Sequence, residues 1–266
     1  MHYRIRILAS LLTAAFCLSA HAQTAESPET PETPEIEPEA LSVLQAMSDF
    51  LAASDEFYYE IDTTYDVVQP SGVKYEFGVA RKNLVARPDR LHTEAIRRNG
   101  VAGTMIFDGK HIWAYSKEAN VYAQTEQVGD LVESIEFAVS ELRIKAPLSE
   151  IASPDLFASI TRDLETAYHL GENVVRGVTS DHLFLRNDYA DVQLWVATGD
   201  EPLLQRIVID YREERGQPQF RAQFSNWNMA PKNTREKFTF VPPKDAERIR
   251  FYVAAPPSDS NQEDAK

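Results

Sequence analysis

Asp181 and His182 stand side by side in a chain with six histidines and a single cysteine, so acid–base work is the first chemistry to test. A histidine base needs a nucleophile to activate. The sequence holds no Gly-x-Ser-x-Gly elbow, and Cys17 lies in the N-terminal apolar run. Neighbouring residues of the strand-like run Thr179 to Arg186 point to opposite faces, so a structural role is expected for this pair. His92, His111 and His169 show no i, i+4 pairing and no His-Glu-x-x-His run, which argues against zinc. No phosphate-binding glycine loop or dinucleotide fingerprint occurs. No catalytic residue, metal or cofactor is expected, and the chain reads as a non-enzyme. Arg97-Arg98 and the pair Arg87 and Arg90 could greet a lipid headgroup or an acidic partner, but solvated strand ends are the expected role.

Apolar side chains carry the stronger signal. From Met105 to Gln124 two apolar runs flank Asp108-Gly109, a pair suited to the positive φ angles of a tight hairpin. Ile112, Trp113 and Tyr115 follow, and Lys117 to Asn120 turns the chain into Val121-Tyr122-Ala123. Strands normally leave one face to water; this hairpin is apolar on both, so something must cover the second face. Upstream, Phe57, Tyr59, Ile61, Thr63, Tyr65 and Val67 alternate with polar residues, and Val73, Tyr75, Phe77 and Val79 make the return strand. The inward candidates are Phe57, Tyr59, Ile61, Tyr65, Tyr75, Phe77, Val79, Met105, Phe107, Trp113, Leu194, Phe220 and Phe224. They predict either a filled core or a cavity for an acyl chain.

These residues need elements to hold them. Leu41, Val43, Leu44, Met47, Phe50 and Leu51 repeat at helical spacing. A second helix is expected from Leu131 to Leu142 behind Asp130 as N-cap, and a short third behind Ser153-Pro154. Strands resume at Thr166 to Leu170 and Val174-Val175, then Thr179 to Arg186, Asp191 to Ala197, Leu203 to Tyr211, Phe220 to Asn226 and Lys237 to Val241. The class is α+β, mainly β. About ten or eleven consecutive strands predict one large antiparallel sheet that curls, with helices filling its concave side.

The ends set the compartment. Arg4 and Arg6 precede the apolar run Ile7 to Leu18, and Ala20-His21-Ala22 offers a cleavage site, so residues 1–22 read as a signal peptide. That run falls short of the ~20 residues of a membrane span. Phe16 before Cys17 departs from a lipobox, so no lipidation is expected and the mature chain carries no cysteine. Residues 23–39 are a Glu/Pro-rich leader and 256–266 a polar tail, both expected to be disordered. Residues 40–255 then form one domain. Loss of Arg4 and Arg6 takes the formal charge from −14 to −16, and much of that acid sits in the leader and tail. Nucleic acid is an improbable partner for such a charge.

Phe107-Asp108-Gly109-Lys110-His111-Ile112-Trp113-Ala114-Tyr115 resembles the DGK-x-x-W-x-Y hairpin of the LolA/LolB lipoprotein-carrier superfamily. Gln193-Leu194-Trp195-Val196 with Gly199-Asp200-Glu201-Pro202-Leu203, and Phe238 to Pro243, are similar to its later elements. Arg87-Pro88-Asp89-Arg90-Leu91 and Asp181-His182-Leu183 resemble a group of predicted periplasmic proteins with a domain of unknown function inside that superfamily. The resemblance implies an open, strongly curved antiparallel half-barrel with helices covering the concave face and an apolar cavity between. It implies a periplasmic binding protein that holds an acyl chain or other apolar ligand, in lipid or lipoprotein handling. The carriers also place an arginine on an early strand inside the cavity; Arg81, Arg87, Arg90, Arg97 and Arg98 are the choices here. The other reading is an envelope sensor or interaction module that meets a protein partner without bound lipid.

Overall fold

A proline at the first helical turn loses no hydrogen bond, because N–H groups there have no partner within the helix. Pro38 opens α1 in this way, and the helix runs Pro38–Ala52. Ala40, Leu44, Met47, Ser48 and Leu51 form its buried stripe, the 3.6-residue period of a helix laid on a core. The structure, a computed structural model, describes residues 35–251. The expected signal peptide, the leader up to residue 34 and the tail from residue 252 lie outside the described residues. The last leader residues are built in: Ile36 bridges Ala167, and α1 starts two residues before the expected domain boundary.

Six strands follow as an antiparallel meander: β1 (Glu56–Val68), β2 (Lys74–Ala86), β3 (Arg90–Arg97), β4 (Ala102–Phe107), β5 (His111–Ser116) and β6 (Val121–Glu126). Helix α2 (Leu131–Ser140) carries a capping box, with Asp130 and Glu133 each accepting from the other's backbone N–H. A 3₁₀ turn (Ser149–Ala152) and α3 (Leu156–Thr161) lead on. Helix α3 starts later than expected, since Ser153 accepts from Asp155 N–H and closes a local turn instead of capping the helix. A second meander comprises β7 (Leu164–Val175), β8 (Val178–Asn187), β9 (Ala190–Ala197), β10 (Leu204–Tyr211) and β11 (Gln219–Asn228). The two runs expected around Thr166 and Val174 are one strand, β7, irregular between His169 and Glu172.

One twelve-stranded sheet results, because β11 pairs antiparallel with β1 and joins the two meanders. The short β12 (Glu247–Ile249) adds to β6 in parallel. This is an open half-barrel, mainly β, with α1, α2 and α3 contributing buried side chains to the same core as the strands. Among the described residues no helix is long and apolar enough to cross a membrane.

The expected strand Lys237 to Val241 is absent. Arg235–Phe238 is a 3₁₀ turn, and the segment lies flat on the convex face. Its Phe240 ring sits 5.2 Å from Trp113, 5.6 Å from Tyr122 and 6.1 Å from Tyr115. His92 Nδ1 donates to the Lys237 carbonyl at 2.7 Å. Side-chain packing on a finished sheet here takes the place of ladder hydrogen bonds, and it supplies the cover that the second apolar face of β5 and β6 demanded.

Candidate functional site

Strand register decides which side chains share a face. Phe57, Tyr59, Ile61, Thr63 and Tyr65 of β1 stand opposite Val85, Asn83, Arg81, Val79 and Phe77 of β2. On the other side Thr63 and Tyr65 meet Ala222 and Phe220 of β11. Directly opposed residues point the same way, so these line the concave face together. Carrying the register outward puts Met105, Phe107 and Leu194 on that face too. Trp113 is the exception. It opposes Ile106, which opposes His92, and belongs to the convex cluster under Phe240. It lines no inner space, because its position in the alternation is one residue off that of Ile112.

Twelve of the thirteen inward candidates therefore share a face, but they divide into two zones. In one zone the helices close over the face, and their buried side chains share its core. Phe57, Tyr59, Ile61, Val79, Phe107, Leu194, Phe220 and Phe224 are all buried. Trp227 completes this zone, with ring centroids 4.8 Å from Tyr59 and 5.7 Å from Phe224, and donates its indole N–H to Leu204 O. Period-two reading places Asn226 inward. In the structure the register slips between Tyr58 and Glu60, Asn226 takes a φ of 53°, and Trp227 moves into the inner position. Asparagine tolerates that left-handed backbone better than most residues.

Towards the β1–β2 turn the helices no longer cover the face. Tyr75 and Phe77 are 53% and 49% exposed, with Val67 and Val73 also open. Phe77 stacks on half-buried Tyr65 at 6.1 Å. Arg81 lies at the junction of the two zones. It donates to Thr63 Oγ1 at 3.2 Å, and Thr63 in turn donates to Val79 O at 2.8 Å. Among the described residues no carboxylate pairs with it. Burial pulls the Arg81 guanidinium below its ordinary value and Arg97 adds to this, while Tyr59 and Tyr65 act the other way. It stays charged. Sequence reasoning left Arg81 among five arginines; carrying the alternation of Tyr75, Phe77 and Val79 two residues further is the signal that singles it out.

The remaining arginines of interest have other duties. Arg87 is no solvated strand end: it donates to the carbonyls of Leu51, Ser54, Ala152 and Ser153. It thereby ties the end of α1 and the 3₁₀ turn to the sheet, with its guanidinium 5.1 Å from the Phe57 ring. Arg98 pairs with Asp62 on the convex side. Arg90 lies over Phe238.

Asp181 and His182 do part company. Asp181 meets His169 Nε2 at 2.9 Å, whereas His182 bonds Gln193 and stacks on Trp195 at 4.3 Å. Among the described residues no group of His, Cys, Asp and Glu could hold a metal ion.

Asp108 explains the hairpin motif. One carboxylate oxygen accepts from the Lys110 and His111 backbone at 2.9 and 2.8 Å, the other from Trp113 Nε1 at 2.9 Å. Gly109 has a φ of 90°, and a Cβ there would stand 2.7 Å from Asp89 Oδ2. The Arg87–Leu91 and Asp108–Tyr115 motifs thus meet at one contact.

Residues 40–252 match a family described as "Predicted periplasmic protein (DUF2092)". The chain belongs to that family. No curated protein matches the DUF2092 chain in sequence. Its fold is similar to that of several solved structures. LprF from Mycobacterium bovis is 16% identical, with 79% of this chain and 99% of that one covered and a TM-score of 0.46. The lipoprotein LppX from Mycobacterium tuberculosis is 15% identical, with 74% and 98% covered and a TM-score of 0.46. A LolA superfamily protein from Nitrosomonas europaea is 13% identical, with 76% and 97% covered and a TM-score of 0.38.

Proposed function

We propose that this DUF2092 protein is a periplasmic, non-enzymatic binding protein that holds an amphipathic ligand on its concave face. The apolar part, an acyl chain, lies along Tyr65, Tyr75 and Phe77, and its polar end meets Arg81. One observation carries the reading: among the described residues no carboxylate pairs with this guanidinium, which sits on an apolar face beside exposed aromatic rings. A buried charge normally has a partner, and exposed apolar patches commonly mark binding sites. Each CH₂ buried there contributes about 0.8 kcal/mol. The N-terminal segment, with a cleavable signal and no lipobox, would deliver the protein to the periplasm unlipidated.

Native mass spectrometry of the protein taken from its own periplasm tests this. Bound lipid is expected on the wild type and at least tenfold less on R81Q and on F77S. Lipid-free spectra from several preparations, or equal loading of all three proteins, would overturn it. The exposed Val73, Tyr75 and Phe77 at a strand turn also suit a second reading, in which an envelope protein inserts apolar side chains there. In that case F77S loses a co-purifying protein rather than a lipid.

A further inference from the structure

Arg97 and Arg98 are consecutive cations at the end of β3, and the sheet sends them opposite ways. Arg98 pairs with Asp62 on the convex side. Arg97 stands opposite Val79 of β2 and so projects from the concave face. Arg81 stands opposite Ala95, two residues before Arg97. The two arginines are thus diagonal neighbours across β2 and β3, about 7–8 Å apart at the backbone. Arg97 is exposed and Arg81 half-buried. Charge is segregated by face around them. Among the described residues of β1 to β6 every aspartate and glutamate lies at an outward position, and Arg81 and Arg97 are the only charged residues at inward ones. Glu150 of the 3₁₀ turn bears on Tyr59 and Tyr211 without pairing with Arg81. Ala95 and Gly103 continue the row of Arg81 on β3 and β4, so the floor beside the two arginines is low and leaves room for a ligand group.

Resting on the reading of this face given above, we infer that its ligand carries a doubly charged phosphate monoester head, held between Arg81 and Arg97 over Ala95, with its chain along Tyr65, Tyr75 and Phe77. Two guanidiniums on one face repel each other, and Arg97 adds to the lowering at Arg81. A carboxylate or a phosphodiester carries one charge and answers one of them. A phosphate monoester carries about −1.5 to −2 near neutral pH and offers three acceptor oxygens, enough for both. The planar fork of arginine also matches phosphate in paired hydrogen bonds. The protein as a whole is strongly acidic, at −14, so two inward cations without an inward acid stand out against the rest of the chain.

Titration calorimetry on the full chain provides the test, with four probes: dodecyl phosphate, its singly charged diester methyl dodecyl phosphate, dodecanol and inorganic phosphate. Dodecyl phosphate is expected to bind at least tenfold tighter than the diester. R97Q should remove that preference, whereas R98Q, on the convex side, should preserve it. Equal affinity for monoester and diester on the wild type would overturn the doubly charged head and leave the apolar reading of the face standing. So would a preference that survives in R97Q. If no amphiphile binds, or if F77S binds each one as the wild type does, the reading of the face falls and this inference with it. Inorganic phosphate binding as tightly as dodecyl phosphate would assign the two arginines to free phosphate and overturn the lipid head.

Discussion

Asp108 shows how much one side chain can fix. Burial alone would raise its carboxyl, but donation from Trp113 and from the His111 and Lys110 backbone holds it below the ordinary carboxylate value. A group with a depressed folded pKa contributes stability above its unfolded value, near 3.9, and loses it as pH falls through the folded one. D108N removes the charge and turns a donor toward Trp113. It is expected to cost about 2 kcal/mol at neutral pH. Because the wild type forfeits its advantage in acid, the two melting curves should converge below about pH 4. A gap that stays constant from pH 7 to pH 3 would refute this account. Arg87 belongs to the same scale. Four carbonyl acceptors from two segments explain why a guanidinium, with its fixed fork of donors, stands there.

At the scale of elements, the contrast between β12 and the Phe238–Phe240 segment is instructive. Alternating aromatics read as a strand, and sequence places Lys237 to Val241 in one. That pattern reports burial on one side, not hydrogen bonding, so a segment draped over a sheet gives the same signal. The actual β12, Glu247–Ile249, is exposed at every residue and so carries no hydrophobic pattern. Phe240 is expected to hold its segment down by aromatic contact. F240A should cost about 2–4 kcal/mol and red-shift the emission of Trp113, whose convex face it uncovers. No spectral change would mean that the segment is held by His92 and Lys237 alone.

For the whole molecule, the decisive event is the pairing of β1 with β11, more than 150 residues apart along the chain in register, as at Tyr65 and Phe220. It turns two local meanders into one sheet whose middle is β1. Stability then grades from the centre outward. Amide hydrogen exchange is expected to be slowest in β1, β2 and β11 and fastest in β12 and the Leu170–Val175 part of β7. Equal protection in β7 and β1 would argue that the halves fold as separate units. The same closure sets the site, since the buried zone beneath the helices needs residues from both meanders while the open aromatic zone does not.

The mainly β class, the hairpins, α1 and α2, and the sharing of one face by most of the inward candidates were legible in the chain. Each depends on a period of two or 3.6 residues, and periodicity is a local property. The opposite orientations of Asp181 and His182 follow from the same rule. Folding decided the rest. Trp113 faces outward and Trp227 inward because of a one-residue difference in phase and a slip of register, neither visible without the partner strand. Among the described residues no carboxylate pairs with Arg81, and the helices cover one part of the concave face and leave Tyr75 and Phe77 exposed, because chain segments far apart in sequence were brought together or kept apart.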